Sequence, residues 1–124
     1  MKLFKPITLL FFVSSLFIMN CSKPDVWEMN NWYSQLSHFK DSETEAFALH
    51  LKTFEEEKIE KIADFYLDKY GDPDRYLLIH FYDNRSFIPD YSKGVDYTEA
   101  QAEHIIARLF YNPFTEEKRL EYLQ

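Results

Sequence analysis

Apolar and polar residues alternate through Ala46-Phe47-Ala48-Leu49-His50-Leu51-Lys52, with Phe47, Leu49 and Leu51 on one side. A period of two predicts a half-buried strand. From Thr53 the period lengthens. Ile59, Ile62, Ala63, Tyr66 and Tyr70 recur at helical spacing, and Phe65 widens the apolar face. Thr53-Phe54-Glu55-Glu56 has the form of a capping box, and Glu55, Glu56 and Glu57 suit the positive end of a helix dipole. Glu57 and Lys61 form a favourable i,i+4 pair. Gly71 is placed to supply a left-handed residue after the helix, and Asp72-Pro73 cannot continue it. Period two returns between Arg75 and Asp83, where Leu77, Ile79 and Phe81 share one face and Tyr76, Leu78, His80 and Tyr82 the other. So short and apolar a run reads as a central strand. Strand, helix and strand in this order permit a right-handed βαβ crossover.

The connection from Asn84 to Thr98 contains Pro89, Gly94 and several Asp, and is long for a small domain. It reads as a candidate binding loop with Tyr91 and Tyr97 as its adhesive residues, because Tyr offers large contact area at low entropic cost. Thr98-Glu99-Ala100-Gln101 is a second capping box. Beyond it two patterns overlap. Ala102, Ile105, Ile106 and Leu109 fit a helical face, whereas Ile105, Ala107, Leu109 and Tyr111 alternate against Ile106, Arg108 and Phe110. Asn112-Pro113-Phe114-Thr115 is a turn signal, and Lys118 to Leu123 fits a partner strand. One helical turn followed by a hairpin is favoured, since two strands alone make too small a sheet to bury the long helix. The predicted fold class is α+β, a small, mostly antiparallel sheet with one long helix.

The N-terminus follows a different logic. Met1-Lys2-Leu3-Phe4-Lys5 is basic, and Ile7 to Met19 is apolar apart from Thr8, Ser14 and Ser15. Thirteen helical residues span about 20 Å, short of the roughly 30 Å hydrocarbon core. A basic stretch followed by a short apolar one is the form of a secretory signal peptide. Ile18-Met19-Asn20-Cys21 follows directly, and Cys21 is the one cysteine in the chain. With Ile18 at −3 and Asn20 at −1 this resembles the relaxed lipobox of a bacterial lipoprotein precursor. The resemblance implies diacylglycerol on the Cys21 sulfur, cleavage before Cys21, and acylation of the new amino group. Ser22 at +2, in place of Asp, implies the outer membrane over the inner where a cell has both. The implied organisation is a signal peptide over 1–20, a lipidated N-terminus and tether over 21–41, and a domain over 42–124. Within the tether, Asp25 is placed to cap one helical turn, and Trp27 and Trp32 suit either the domain surface or the membrane interface.

Composition narrows the remaining possibilities. The 124 residues hold 21 acidic and 14 basic side chains; without Lys2 and Lys5 the remainder carries −9. That excess excludes a basic nucleic-acid-binding face. A single cysteine excludes an internal disulfide framework, and an aromatic content of 19% excludes a disordered chain. No cofactor motif is present: the chain lacks a phosphate-cradling Gly-rich loop and a nucleophile elbow.

If the strand assignments hold, His50, His80 and His104 share one parity, with Arg108 nearby, and form a candidate ligand or metal face. Tyr76, Tyr82 and Phe110 line the sheet as well, and together with Tyr91 and Tyr97 they form a candidate partner surface. The sequence therefore implies a lipid-anchored envelope protein acting as a small binding or assembly module with an envelope partner and no catalytic residues. The alternative is a metal-binding or enzymatic domain using the histidine face.

Overall fold

The computed structural model describes residues 25–123. The apolar run Ile7 to Met19 and the proposed acylation site at Cys21 lie outside the described residues. Chain order is α1 (Val26–Met29), β1 (Tyr33–Lys40), β2 (Thr44–Leu51), α2 (Glu56–Tyr70), β3 (Tyr76–Tyr82), a 3-10 turn (Arg85–Phe87), α3 (Glu99–Ala102), β4 (Ile105–Asn112) and β5 (Glu117–Tyr122). The strands form one five-stranded sheet in sequence order. β2 and β3 are parallel, joined through α2, and the other three pairings are antiparallel. The architecture is α+β, with a mixed sheet and one long helix.

The period-two pattern decides which side chains meet that helix. Phe47, Leu49 and Leu51 of β2, Leu77, Ile79 and Phe81 of β3, and Ala107 and Leu109 of β4 are buried with Ile59, Ile62, Ala63 and Tyr66 of α2. Each large apolar side chain so enclosed contributes about 1.5–3 kcal/mol relative to exposure. Tyr66 also donates from its hydroxyl to Gln35 Oε1 at 2.7 Å, tying the helix to the edge strand. The opposite face carries a smaller core of Ala46, Ala48, Tyr82, Tyr91 and Ile105.

Four expectations are corrected. Residues 33–40 are not tether but strand β1, and Trp32 is buried in the helix-side core while Trp27 is 79% exposed. The alternation in β1 is concealed by a bulge between Gln35 and Ser37, which reverses the facing of every later residue. Second, the capping box at Thr53 does not form: the helix starts at Glu56, and Glu55 at the N-cap position makes no side-chain cap bond. Residues 53–55 carry the chain from the sheet to the helix layer instead. Third, Gly71 is not left-handed but extended (φ −60°, ψ 111°). Glycine serves there because a Cβ would run into the Leu67 carbonyl oxygen. Fourth, the register shift between Phe81 and Tyr82 in the β3–β4 pairing turns Ile105 to the far core and Ile106 toward the helix side. The Thr98 capping box and the β4–β5 hairpin form as the sequence indicates.

Antiparallel and parallel pairings together gather several chain ends at one edge of the sheet. β1 begins there opposite Leu51, β2 and β3 end there, β4 begins opposite Tyr82, and β5 ends opposite Ala107. The exposed side chains of Val26, Trp27, Phe54, Tyr122 and Leu123 belong to elements meeting at this end. Asp25, the first described residue, enters at the same end. Among the described residues no helix is long and apolar enough to cross a membrane.

Candidate functional site

The face of the sheet away from α2 is half covered by the loop between β3 and α3. Its anchor is Tyr91, fully buried although it lies in a loop. Ala46 and Ala48 of β2 are too small to fill the space above them, and Tyr91 packs into this cluster with Tyr82 and Ile105. The Tyr91 backbone N–H donates to Ser37 Oγ at 2.6 Å, fastening the loop to β1. Its hydroxyl lies 2.7 Å from His80 Nδ1 and 2.8 Å from the Tyr82 hydroxyl.

His80 is the central residue of this face. It pairs across the sheet with Ala48 on one side and Arg108 on the other, and is only 2% exposed. Burial, reinforced by the Arg108 charge, pushes its pKa down to about 4, so the imidazole is neutral at physiological pH. Burial likewise pushes the Tyr82 and Tyr91 hydroxyls above the ordinary tyrosine range.

Beside this network lies an open cleft of about 580 Å³. Leu78 and His80 of β3, Arg108 and Phe110 of β4, and Arg119 of β5 form its floor; Val95, Asp96 and Tyr97 of the loop form its wall. The register explains the floor: Leu78 faces Phe110, His80 faces Arg108, and Phe110 faces Arg119 on β5. The Arg119 guanidinium lies over the Phe110 ring at 5.4 Å. Glu121 receives both arginines, Arg108 Nη2 at 2.9 Å and Arg119 Nε at 3.2 Å. The Arg108 hydrogen bond holds the Glu121 carboxyl below the usual carboxylate range. The Tyr97 ring stands perpendicular to His80 at 5.4 Å and bounds the cleft.

The sequence-derived site residues divide accordingly. His80 and Arg108 are brought together as direct cross-strand partners on β3 and β4. His50 sits at the end of β2 between Ser34 and Tyr82, two residues along from the His80 row. His104 does not join them, which corrects the three-histidine face. It precedes β4, holds Asp83 Oδ1 through Nδ1 at 2.8 Å and stacks on Phe87 at 4.0 Å. Parity counted along the sequence failed here because His104 lies outside the strand and the register shifts beside it. Among the described residues no three of His, Cys, Asp and Glu are grouped to hold a metal ion.

The aromatic surface is corrected as well. Tyr82 and Tyr91 are buried and present nothing to a partner. Tyr76 and Phe110 stack at 5.7 Å under the exposed Phe114, and Tyr97 is 37% exposed. Sequence reasoning missed Arg119, Glu121 and Asp96, whose positions depend on hairpin register and loop path. It also missed Glu45, 5% exposed and paired with His38 at 2.7 Å, whose ring stacks on Phe47. One signal was available: Glu45 shares the parity of Phe47 and Leu49, so the strand pattern turned a carboxylate toward the core.

In comparisons with known proteins, no protein-family model, no curated protein and no solved structure matches the chain.

Proposed function

We propose that this is a lipid-anchored protein of the cell envelope, held by acyl chains on Cys21, whose α+β domain is a small binding or assembly module. The observation that carries the reading is the basic start, the short apolar run and the immediately following Ile18-Met19-Asn20-Cys21. Two or three acyl chains anchor a protein stably where one chain is marginal, because each buried methylene contributes about 0.8 kcal/mol. With Ser22 after the cysteine, the outer membrane is the destination where the cell has one. The shape of the domain supports the reading. Asp25 lies four residues after Cys21, and the end it enters bears exposed Val26 and Trp27. Glu55 at the N-cap and Glu56 and Glu57 in the first turn of α2 lie at that end, so attraction to anionic lipid is weak and the acyl chains supply the attachment. The cleft on the far face then points away from the helix layer and is free to receive a partner or ligand. Metabolic labelling with palmitate tests the anchor: incorporation is expected in the wild type and lost in Cys21→Ser or under globomycin. Labelling that survives Cys21→Ser refutes it.

A further inference from the structure

We infer that the cleft between β3, β4, β5 and the loop is a binding site for a small planar monocarboxylate, received by His80, Arg108 and Arg119. The inference deepens the reading of the domain as a binding module, and does not depend on the anchor at Cys21.

Tyr82 and Tyr91 are both enclosed, and among the described residues the hydrogen-bond partners of their hydroxyls are each other and His80 Nδ1. If Nδ1 carried the proton, it would donate to Tyr91, Tyr91 to Tyr82, and the Tyr82 hydroxyl hydrogen would have no acceptor. A buried donor without an acceptor costs about 1–3 kcal/mol. The reverse direction satisfies every group: Tyr82 donates to Tyr91, and Tyr91 donates to Nδ1. His80 therefore carries its proton on Nε2. Among the described residues that nitrogen has no hydrogen-bond partner, and no fully enclosed side-chain nitrogen or oxygen lacks one. Nε2–H accordingly keeps access to the cleft that His80 lines.

The donors beside it set the charge. Arg108 and Arg119 reach Glu121 through one nitrogen each, Nη2 and Nε, so their other guanidinium N–H groups remain for a ligand. Arg108 and Arg119 against Glu121 leave one net positive charge on the floor, which Asp96 on the wall offsets over the whole cleft. With no surplus of positive charge, a group that accepts the free guanidinium N–H bonds and carries a single charge, a monocarboxylate, fits better than phosphate. Leu78, Phe110 and the 37% exposed Tyr97 ring supply apolar and aromatic surface for a flat group.

The test uses the full chain in zwitterionic detergent micelles, followed by NMR of the arginine Nε–H, the His80 ring and the Leu78 and Val95 methyls. The probes are sodium benzoate, benzylamine and inorganic phosphate. Benzoate is expected to shift these resonances saturably, with Arg108→Gln and Arg119→Gln each weakening its Kd roughly tenfold. Benzylamine and phosphate are expected to leave them unmoved at the same concentration. The inference is overturned if benzoate moves none of them, if benzylamine or phosphate moves them equally, or if both arginine variants retain the wild-type Kd. Should an arginine variant fail to fold, the three-probe comparison on the wild type still decides. An acylated chain without a benzoate response refutes the cleft alone, and a benzoate-binding chain with unmodified Cys21 refutes the anchor alone.

Discussion

The Tyr91 hydroxyl, contributed by a loop, lies 2.7 Å from Nδ1 of His80, contributed by the central strand. With the Tyr82 contact and the backbone bond to Ser37, this hydrogen bond joins the covering loop to the sheet in a buried setting, where a lost partner is costly. Tyr91→Phe keeps the ring but leaves His80 Nδ1 and the Tyr82 hydroxyl unsatisfied. A loss of about 1–3 kcal/mol is expected, read from the shift of the urea midpoint. Tyr122→Phe, whose hydroxyl makes only a 3.4 Å contact with the Glu56 carbonyl, is expected to change the midpoint little.

His80 makes stability depend on pH with a definite sign. Its folded pKa, about 4, lies below the ordinary value of 6.5, so the unfolded chain binds the proton first. The neutral ring imposes no penalty above pH 6.5. Stability falls as pH drops from 6.5 toward 4, and the loss levels off below 4, at about 3 kcal/mol in total. Asp41, Asp90 and Glu121 are held below the carboxylate range and lose stability at lower pH in any variant. Comparing urea midpoints of wild type and His80→Gln at pH 7 and pH 4 isolates the histidine. The wild type is expected to lose more, and equal losses would contradict the buried neutral ring.

Gly71→Ala tests the end of α2. In an exposed helix alanine is the better residue by about 1 kcal/mol, so a rise in Tm is the naive expectation. Here the new methyl meets the Leu67 carbonyl oxygen, whose hydrogen bond from the Gly71 N–H measures 2.8 Å. A fall in Tm by several degrees is expected, and an increase would show that the backbone relaxes freely.

The two tryptophans report on different places. Trp32 is 7% exposed under Lys58, whereas Trp27 is 79% exposed beside the chain's entry. Trp27→Phe should therefore remove the red-shifted, readily quenched part of the emission and leave the core signal. In the acylated protein on phosphatidylcholine vesicles, the Trp27 emission is expected to move to the blue and become quenchable by brominated lipid. Unchanged emission on vesicles would place α1 away from the bilayer.

Most of the scaffold was legible where a single period ran unbroken. Phe47-Leu49-Leu51 and Leu77-Ile79-Phe81 carried the two central strands, and the Ile59 to Tyr70 face carried the helix that covers them. Local chemistry was legible at Thr98, where the side chain and Gln101 cap the turn reciprocally. Illegible were the places where one extra residue reverses the count. The bulge in β1 made a strand look like polar tether, and the shift beside Tyr82 exchanged the roles of Ile105 and Ile106. The cleft was half legible. His80 and Arg108 followed from strand parity, whereas Arg119 and Glu121 required the hairpin register and Tyr91 required a tertiary gap. A tyrosine in a polar loop carries no local sign that two alanines on a strand have left space for it.

We propose Cys21 as both the mature N-terminus and the membrane anchor. Mass spectrometry of the N-terminal peptide from protein isolated from the cell envelope tests it most directly. A chain beginning at Cys21, with diacylglycerol on its sulfur and an acyl group on its amine, is expected. A chain beginning elsewhere, or an unmodified Cys21 thiol, would contradict it.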